Sequence, residues 1–427
     1  MATNQPHRTE RDEALRERAR QVIPNGMYGH QSVARLPEGY PQFFSHGDGS
    51  HVWDVDGNEY IDYMCAYGPI VLGHRHPAVE RAAAAQQAHG DTFTGPTERI
   101  VDLAEQLVAI TPHADWAWFA KNGTDATTYA VTVARVHTGR RGLMRAAGAY
   151  HGASPLWTPG PAGPEDAAHQ FTYRYNDLAS VRAAADEANG DLAAIIVSPF
   201  RHDAGHVQEL PAPEFVQGVR DICDATGAVL ILDDVRAGFR IDLGGSWAPY
   251  GVKPDIAAYS KAIANGYALA AVAGGDQLRD ATSKVFATGS FWFSGVAMAA
   301  AVATISTMEE TNAIGQMVRA GTLLREGLAA QARSHGLRVT QSGPVQMPFL
   351  SFDSDDLEHR EIPRALRFTS EAVKGGVYFH PTHNWFISAA HTAEDVERTL
   401  AVTDGAFAAV RAAFGEDEHL LMEVTDA

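Results

Sequence analysis

The sequence predicts an α/β protein in which a large part built around a mostly parallel β-sheet is followed by a smaller α+β part. From about residue 97, short apolar strands alternate with helical segments, a pattern typical of parallel strands joined by helices. Helices dominate from about residue 296 to 336, and short strand-like runs follow them. At 427 residues the chain is too long for one ordinary compact core, which favours two domains.

The individual elements follow from local patterns. After a charged N-terminal helix, residues 24–39 are irregular, and HVWDVDGNEYIDYM (51–64) predicts a hairpin that turns at Asp56 and Gly57. Amphipathic helices are predicted over 97–110 and over 125–139, where Gly139 ends the second. The predicted strands of the large part are 115–120, 141–147, 191–199, 227–234, 255–260 and 268–275. The strand-like runs of the last third are 336–343, 347–353 and 376–390.

Composition excludes several classes of function. Hydrophobic residues make up 45% and charged residues 20%, as in globular proteins. The formal charge of -18 disfavours nucleic acids and anionic membranes as partners, because both require a basic face. With only Cys65 and Cys223, no disulfide framework is expected, and a reducing cytoplasm fits. We expect neither a signal peptide nor a membrane span.

Two strands of the predicted sheet end in residues that could act in catalysis. TGAVLILDD reads as a buried parallel strand with Asp233 and Asp234 at its carboxyl end, the edge where open α/β sheets bind ligands. A strand-end aspartate can also simply cap a turn. Another strand delivers Lys261 into AIANG, where burial would lower the pKa of its amine and favour a nucleophile.

A third feature is a possible anion site. In FAKNGTDATTYA a strand runs through Asn122, Gly123 and Thr124 into a helix, which leaves free backbone N–H groups and a hydroxyl at a helix N-terminus. A glycine there is also an ordinary turn residue. Taken together, a phosphate cradle, a strand-end carboxylate and a strand-end lysine are what pyridoxal phosphate requires.

These motifs give the chain a family resemblance. It resembles the class III aminotransferases among the fold-type I pyridoxal phosphate enzymes, and is most similar to glutamate-1-semialdehyde 2,1-aminomutases. The similarity runs through VWDVDGNEYIDY, GPIVLGHRHP, NGTDAT, AYHGA, LILDDVRAGFR, PDIAAYSKAIANG and the late GVYFHP and ISAAHTAEDVERTL segments. The resemblance implies a seven-stranded, mostly parallel sheet. It also implies three parts: residues 1–80, contributing to the small domain and dimer contacts; a cofactor-binding domain over 81–305; and a small α+β domain over 306–427.

The resemblance also implies roles for residues that match the family's motifs. Lys261 would form the Schiff base and carry the proton, and Asp233 would hold the protonated ring nitrogen. Asn122, Gly123 and Thr124 would bind the phosphate, Tyr150 would stack on the ring, and His151 would lie beside it. His202 or Asp203 would lie near the phenolic oxygen. Ser290 stands where the family has a threonine that completes the neighbouring subunit's phosphate site, which implies a homodimer with shared active sites.

Departures from the family point to a changed substrate pocket. Ser32 stands where the aminomutases have a carboxylate-binding arginine, with Arg35 only nearby, and HNWF replaces their FEAGF segment. Aromatic residues have accumulated, and they fill cores as often as they line pockets. The candidate substrate-pocket residues are Tyr28, Tyr67, Trp292, Trp385 and Arg35. Arg236 and His30 are further candidates for holding an acidic group, although such residues more often form structural ion pairs or occupy turns.

We therefore expect a cytoplasmic aminotransferase that transfers an amino group from an amine or amino acid to a keto acid or aldehyde, without nucleic acid or membrane partners. The alternatives that stay open are intramolecular transfer, as in an aminomutase, and a pyridoxal phosphate-binding protein without activity. A metal site at His74–His76 or His380–His383 is disfavoured, because no matching carboxylates accompany these histidines.

Overall fold

The computed structural model describes residues 7–153, 156–157, 169–203, 205–353 and 362–417. The N-terminal elements are α1 (Glu10–Val22), β1 (Phe44–Asp48), β2 (His51–Asp54), β3 (Glu59–Asp62) and α2 (Pro77–Gln87). Strands β2 and β3 pair antiparallel, and Gly57 lies between them at a φ of 85°, which only glycine adopts readily. The predicted hairpin is therefore confirmed.

The large sheet has seven strands. They are β4 (Trp116–Ala120), β5 (Gly142–Ala146), β6 (Gln170–Tyr173), β7 (Leu192–Val197), β8 (Val229–Asp233), β9 (Ile256–Tyr259) and β10 (Ala270–Gly274). Their spatial order is β4-β10-β9-β8-β7-β5-β6, and only β10 runs antiparallel to its neighbours. All residues of β7, β8 and β9 are buried, which explains their continuous apolar sequence. The mostly parallel, seven-stranded sheet is confirmed.

Helices cover this sheet and continue beyond it. They are α3 (Arg99–Ile110), α4 (Gly123–Thr138), α5 (Leu178–Glu187), α6 (Pro213–Thr226), α7 (Arg279–Lys284), α8 (Gly295–Thr311) and α9 (Ala313–Ser334). Helix α4 packs against β7, β8, β9 and β10 and ends at Gly139, which has a φ of 68° as its predicted C-cap role requires. In the part of the chain that the structure describes, no helix is both long and apolar enough to cross a bilayer.

The last third folds back onto the N-terminal strands. Its elements are β11 (Val339–Ser342), β12 (Phe349–Phe352), α10 (Ile362–Lys374), β13 (Val377–Tyr378) and α11 (Ala393–Phe414). Strand β13 pairs parallel with β3, so one four-stranded sheet, β1-β2-β3-β13, joins both ends of the chain. The expected domain limits at residues 80 and 305 stay a prediction.

The direction of the strands fixes where the candidate site lies. Strands β4, β5, β7, β8 and β9 all run the same way, so their carboxyl ends meet at one edge of the sheet. The chain leaves these ends at Ala120, Ala146, Val197, Asp233 and Tyr259. The segments that follow carry the residues predicted for the site, as expected for a ligand-binding edge of an α/β sheet.

Candidate active site

Lys261 lies two residues after the end of strand β9 and begins a 3-10 turn that extends to Ala264. Its φ of 48° is unusual for a residue with a side chain. The preceding Ser260 donates its hydroxyl to the Leu269 carbonyl at 2.8 Å and so fixes the end of the strand. Burial lowers the pKa of the Lys261 amine to about 7, and the Arg236 guanidinium adds to this while Asp233 opposes it. The amine can therefore be neutral and nucleophilic near neutral pH.

Asp233 and His151 form a buried pair at the end of β8. The His151 Nδ1 lies 2.6 Å from Asp233 Oδ2, and the Val235 N–H donates to Asp233 Oδ1 at 3.2 Å. The Thr127 hydroxyl donates to the His151 carbonyl and holds this loop against α4. The remaining ring nitrogen of His151, Nε2, is buried and has no hydrogen-bond partner in the described part of the chain. Such an atom needs a ligand or water to satisfy it.

The N-terminus of α4 provides donors for an anion. The Asn122 side chain caps the helix by accepting the Asp125 N–H at 3.1 Å, and it places Gly123 and Thr124 in the first turn. The Thr124 hydroxyl oxygen accepts the Ala153 N–H at 3.1 Å, which leaves its hydrogen free to donate. Free N–H groups and the helix dipole at this end favour a phosphate.

Two glycines keep this anion site open. A Cβ at Gly123 would lie 2.7 Å from Val235 Cγ1, and one at Gly152 would lie 2.9 Å from the Thr124 hydroxyl. Neither distance is compatible with a side chain at the glycine, so a methyl group would close space that the phosphate needs. The residues present therefore fit pyridoxal phosphate in both its ring and its phosphate.

One cavity of about 310 Å³ brings these groups together. Nine residues predicted from the sequence line it: Asn122, Gly123, Thr124, Tyr150, His151, His202, Asp233, Arg236 and Lys261. Sequence reasoning missed Gly152, Val235 and Ser260, which also line it. Each of the three adjoins a predicted residue in the sequence, and that adjacency was the only signal available. Tyr150 is 59% exposed and lies at the mouth of the cavity.

Several other candidates lie outside this cavity. Asp203 pairs with Arg201, whose Nε lies 3.0 Å from the Asp203 Oδ2, and it does not line the cavity. His202 does line the cavity, so it is the better placed of the two residues considered for the phenolic oxygen. Trp385 is 2% exposed, stacks on Phe379 with ring centres 3.8 Å apart, and belongs to the core. Core packing, which the sequence analysis gave as the alternative to a pocket role for each aromatic residue, is therefore what the structure shows for Trp385.

The remaining candidates are distributed over the surface and a second cavity. Tyr28 and Arg35 are exposed, Ser290 is exposed in the loop before α8, and Trp292 packs edge-on against Trp118. Tyr67 lines the second cavity, of about 490 Å³, which is also lined by residues 27–42 and by the four-stranded sheet.

The second cavity adjoins the first through the segment that holds Tyr67. The Tyr67 hydroxyl donates to the His30 carbonyl at 2.6 Å. The next residue, Gly68, has a φ of 113°, and a Cβ there would lie 3.4 Å from Lys261 Cδ. The residue that follows Tyr67 therefore lies close to the lysine side chain.

Two histidines lie against Tyr67, whose ring is edge-on to both His380 and His383. The His380 Nδ1 accepts the N–H groups of Thr382 and His383, so Nε2 carries its proton. The His383 Nδ1 lies 2.6 Å from the Asn384 carbonyl and must donate to it, so its Nε2 is an acceptor. Burial lowers the pKa of both rings, to about 4 for His380, so both are neutral at neutral pH. Among the described residues, no group of three or more His, Cys, Asp and Glu side chains is placed to hold a metal ion.

Comparison with known proteins gives concordant matches over nearly the whole chain. The profile of the family described as Aminotransferase class-III matches residues 34–157 and 162–398. An aminopentol aminotransferase of Sphingopyxis macrogoltabida is 48% identical over 421 residues, 98% of this chain and 99% of the relative. A glutamate-1-semialdehyde 2,1-aminomutase of Desulfatibacillum aliphaticivorans is 34% identical over 420 residues, 92% of this chain and 98% of the relative.

A solved structure extends the similarity to three dimensions. The PLP internal aldimine form of the FumI protein of Sphingopyxis sp. MTA144 superposes with a TM-score of 0.92 at 49% identity. The match covers 95% of this chain and 97% of that protein.

Proposed function

The chain belongs to the class III aminotransferase family, and from that premise we propose which residues perform the amino transfer and which amine it uses. It is a pyridoxal phosphate-dependent aminotransferase of fold type I that transfers an amino group from a donor to a carbonyl acceptor. The observation that carries the assignment of residues is the cavity where Lys261, the Asp233–His151 pair and the N-terminus of α4 meet.

We assign Lys261 the covalent attachment of the cofactor and the movement of the proton. When bound, pyridoxal phosphate supplies an aldehyde that condenses with amines and a ring that withdraws electrons from the carbon beside the nitrogen. Because burial lowers the pKa of Lys261 to about 7, its Nζ can attack as a neutral amine and later take up a proton. No other lysine lines the cavity among the described residues.

In this proposal the remaining cavity residues orient the cofactor and keep its ring nitrogen protonated. Asp233, held by His151 and the Val235 N–H, would accept a hydrogen bond from the protonated ring nitrogen, and its negative charge would keep that nitrogen protonated. Gly123 and Thr124 bind the phosphate through backbone N–H groups and the free hydroxyl hydrogen of Thr124. Tyr150 covers one ring face at the cavity mouth.

A homodimer completes the site. Class III aminotransferases act on small molecules and typically dimerise. In this chain the exposed Ser290 lies outside its own cavity and is flanked by exposed apolar side chains, Phe286 at 94% and Phe291 at 64%. Burying such side chains stabilises association. We propose that this loop packs on a second copy, where the Ser290 hydroxyl completes the other subunit's phosphate site.

The proposed donor is a primary amine that carries a hydroxyl group. The relative at 48% identity is named for an aminopentol. In this chain the neutral His380 and His383 offer one N–H donor and one nitrogen acceptor beside Tyr67, which lines the larger cavity. A hydroxyl group both donates and accepts, so it can satisfy both atoms at once. We place this chemistry in the cytoplasm, which the free, buried thiols of Cys65 and Cys223 support.

A half-reaction screen tests this proposal. The cofactor-loaded enzyme is mixed with a 2-amino-3-hydroxyalkane, with the 2-aminoalkane of the same length, and with glutamate-1-semialdehyde. Loss of the visible absorbance with release of a carbonyl compound marks transfer, and we expect the hydroxylated amine to react faster. His383→Phe should remove that preference, whereas Trp385→Phe, in the core, should retain it. Turnover of glutamate-1-semialdehyde alone, with its nitrogen retained, would instead establish an aminomutase.

A further inference from the structure

Arg240 is a fully buried guanidinium that binds backbone carbonyls. Its Nη2 donates to the carbonyls of Gly68 and Ile70, both at 2.8 Å, and its Nη1 donates to the Ile387 carbonyl at 2.6 Å. The guanidinium carbon lies 5.1 Å from the centre of the Phe386 ring. Burial lowers the pKa of Arg240 to about 10, so the side chain stays charged at neutral pH. In the described part of the chain, no carboxylate is bonded to it.

This cation is not needed to fill its site. Taking a charge out of water is costly, and carbonyl dipoles and an aromatic ring offset that cost only in part. The Nε of Arg240 is also buried and has no hydrogen-bond partner among the described residues. An unbranched apolar side chain of similar length could occupy this volume without a charge to desolvate. What the guanidinium adds, and an apolar side chain could not, is the link between its three carbonyls.

One of these links holds the end of a strained turn, residues 65–68. Three consecutive residues of this turn have side chains and a left-handed backbone: Cys65, Ala66 and Tyr67, with φ values of 46°, 55° and 64°. Such a conformation is unfavourable for L-residues and persists only where the surroundings impose it. At the start of the turn, Asp62 Oδ1 accepts the Cys65 N–H at 3.0 Å. At its end, Arg240 binds the Gly68 carbonyl, so the guanidinium is one of the groups that impose the turn.

The turn lies against the lysine to which we assign the chemistry. A Cβ at Gly68 would lie 3.4 Å from Lys261 Cδ and 3.0 Å from Phe386 Cε1, so the turn packs closely against both side chains. A shift of Gly68 would therefore change the space in which the Lys261 side chain moves. Arg240 itself lines neither cavity, so its contacts reach Lys261 only through this turn.

We propose that Arg240 is a positioning residue for the amino transfer, which holds the turn of residues 65–68 against Lys261 and thereby restricts where the amine can point in the cofactor cavity. This inference rests on the role of Lys261 in the proposed function. A lysine has a long, flexible stem, and its freedom must be lost before the amine can react at one atom. Packing that removes this freedom in advance raises the rate of reaction without adding affinity for the cofactor ring or phosphate.

The test separates reaction at Lys261 from binding in the cavity. Cofactor-free enzyme is mixed with pyridoxal phosphate, and capture by Lys261 is followed by borohydride trapping and mass measurement. For Arg240→Met we expect the capture rate to fall roughly ten- to a hundredfold, the size expected for a misplaced reacting group. Pyridoxamine phosphate has the same ring and phosphate but no aldehyde, so its affinity should change by less than about threefold. Arg240→Lys, which keeps the charge but loses the fork of donors, should restore part of the rate.

Arg325→Met is the matched control. Arg325 also donates to a backbone carbonyl, that of Gly343 at 2.6 Å, and its Nε is likewise buried without a partner among the described residues. Gly343 lines neither cavity, so Arg325→Met should leave both the capture rate and the affinity for pyridoxamine phosphate unchanged.

Three results would overturn the inference: capture by Arg240→Met at the wild-type rate, an affinity for pyridoxamine phosphate that falls as far as the capture rate, or the same loss in Arg325→Met. If Arg240→Met does not fold, the ratio of capture rate to affinity in Arg240→Lys decides, and a ratio equal to that of the wild type overturns the inference. Capture by Lys261→Ala at the wild-type rate would refute the proposed function instead.

Discussion

Lys261 is held in a backbone conformation that costs about 1 kcal/mol for a residue with a side chain. Such strain persists only where the surroundings impose it, and here β9 and the turn into Asn265, itself at a φ of 44°, do so. The same burial that fixes the side chain disfavours its charge. Position and reactivity of this amine therefore have one cause.

The first prediction concerns the pH dependence of cofactor capture by Lys261. As pH rises through about 7 the amine loses its proton, so the capture rate of cofactor-free enzyme should rise and then level off above pH 8. An ordinary lysine, with a pKa of about 10.4, would accelerate tenfold per unit up to pH 10. Borohydride trapping followed by mass measurement gives the rate, and Lys261→Ala should trap nothing while folding normally. Continued acceleration to pH 10 would contradict the lowered pKa.

The second prediction concerns two adjacent carboxylates with different surroundings. Asp233 lines the cavity, whereas Asp234 is fully buried and accepts the N–H and hydroxyl of Ser246. Asp233→Asn should keep the cofactor but slow the donor half-reaction by more than about a hundredfold, because the ring nitrogen loses its carboxylate. Asp234→Asn, the matched control, preserves the bonds to Ser246 and should stay within about threefold of the wild type. Equal effects of the two substitutions would contradict the assignment.

At the scale of elements, the contact between the start of α4 and the end of β8 sets the room available to the cofactor. A methyl group on Gly123 would meet Val235, a stiff β-branched side chain with little freedom to withdraw. The third prediction is that Gly123→Ala weakens pyridoxal phosphate binding at least about tenfold, since the methyl group moves Val235 into the cavity. The dissociation constant is measured by equilibrium titration of the cofactor absorbance.

A double substitution distinguishes this steric cause from a loss of helix stability. If Val235 is what the methyl group displaces, Gly123→Ala with Val235→Ala should bind the cofactor more tightly than Gly123→Ala alone. Val235→Ala by itself should have a small effect. Additive losses would show that the two elements do not share this space.

Elements with strong patterns could be predicted from the sequence, and those held by pairing alone could not. The buried runs of β7, β8 and β9 and the hairpin at Gly57 have local signals that survive in the fold. Strand β6 was missed because it is a short edge strand that pairs only with β5. Strand β1 was missed because FSHGD is polar and exposed, and it is held only by pairing with β2.

The same distinction applies to the candidate site. The sequence analysis could predict that residues just after the strands lie together, because parallel strands end at one edge of the sheet. Trp385 was misplaced because HNWF carries no periodic pattern, and only the fold shows that Trp385 packs on Phe379 while His383 lies against Tyr67. The hydrogen bond from Arg236 to Asn384 joins residues far apart in the chain and could not be predicted from the sequence around either residue.

At the scale of the whole molecule, one copy of the chain leaves exposed both its cavity mouth and the apolar side chains of the loop before α8. Tyr150 at the mouth is 59% exposed, and Phe286 and Phe291 flank Ser290 in the loop before α8. Each copy of the chain carries a formal charge of -18, so two copies repel each other. They associate only if the burial of these apolar side chains contributes more than the repulsion costs. Raising the salt concentration should therefore strengthen the proposed dimer.

The fourth prediction links assembly to cofactor binding. Phe286→Glu combined with Phe291→Glu should shift the protein toward monomer, because two charges would replace apolar contacts and add to the repulsion. Since Ser290 lies between them, the affinity for pyridoxal phosphate should fall in parallel. Light scattering after size exclusion gives the mass, and a titration of the cofactor absorbance gives the affinity. Leu323→Glu, on an exposed position of α9, is the matched control and should change neither. A monomeric variant that binds the cofactor as tightly as the wild type would show that each subunit builds its phosphate site alone.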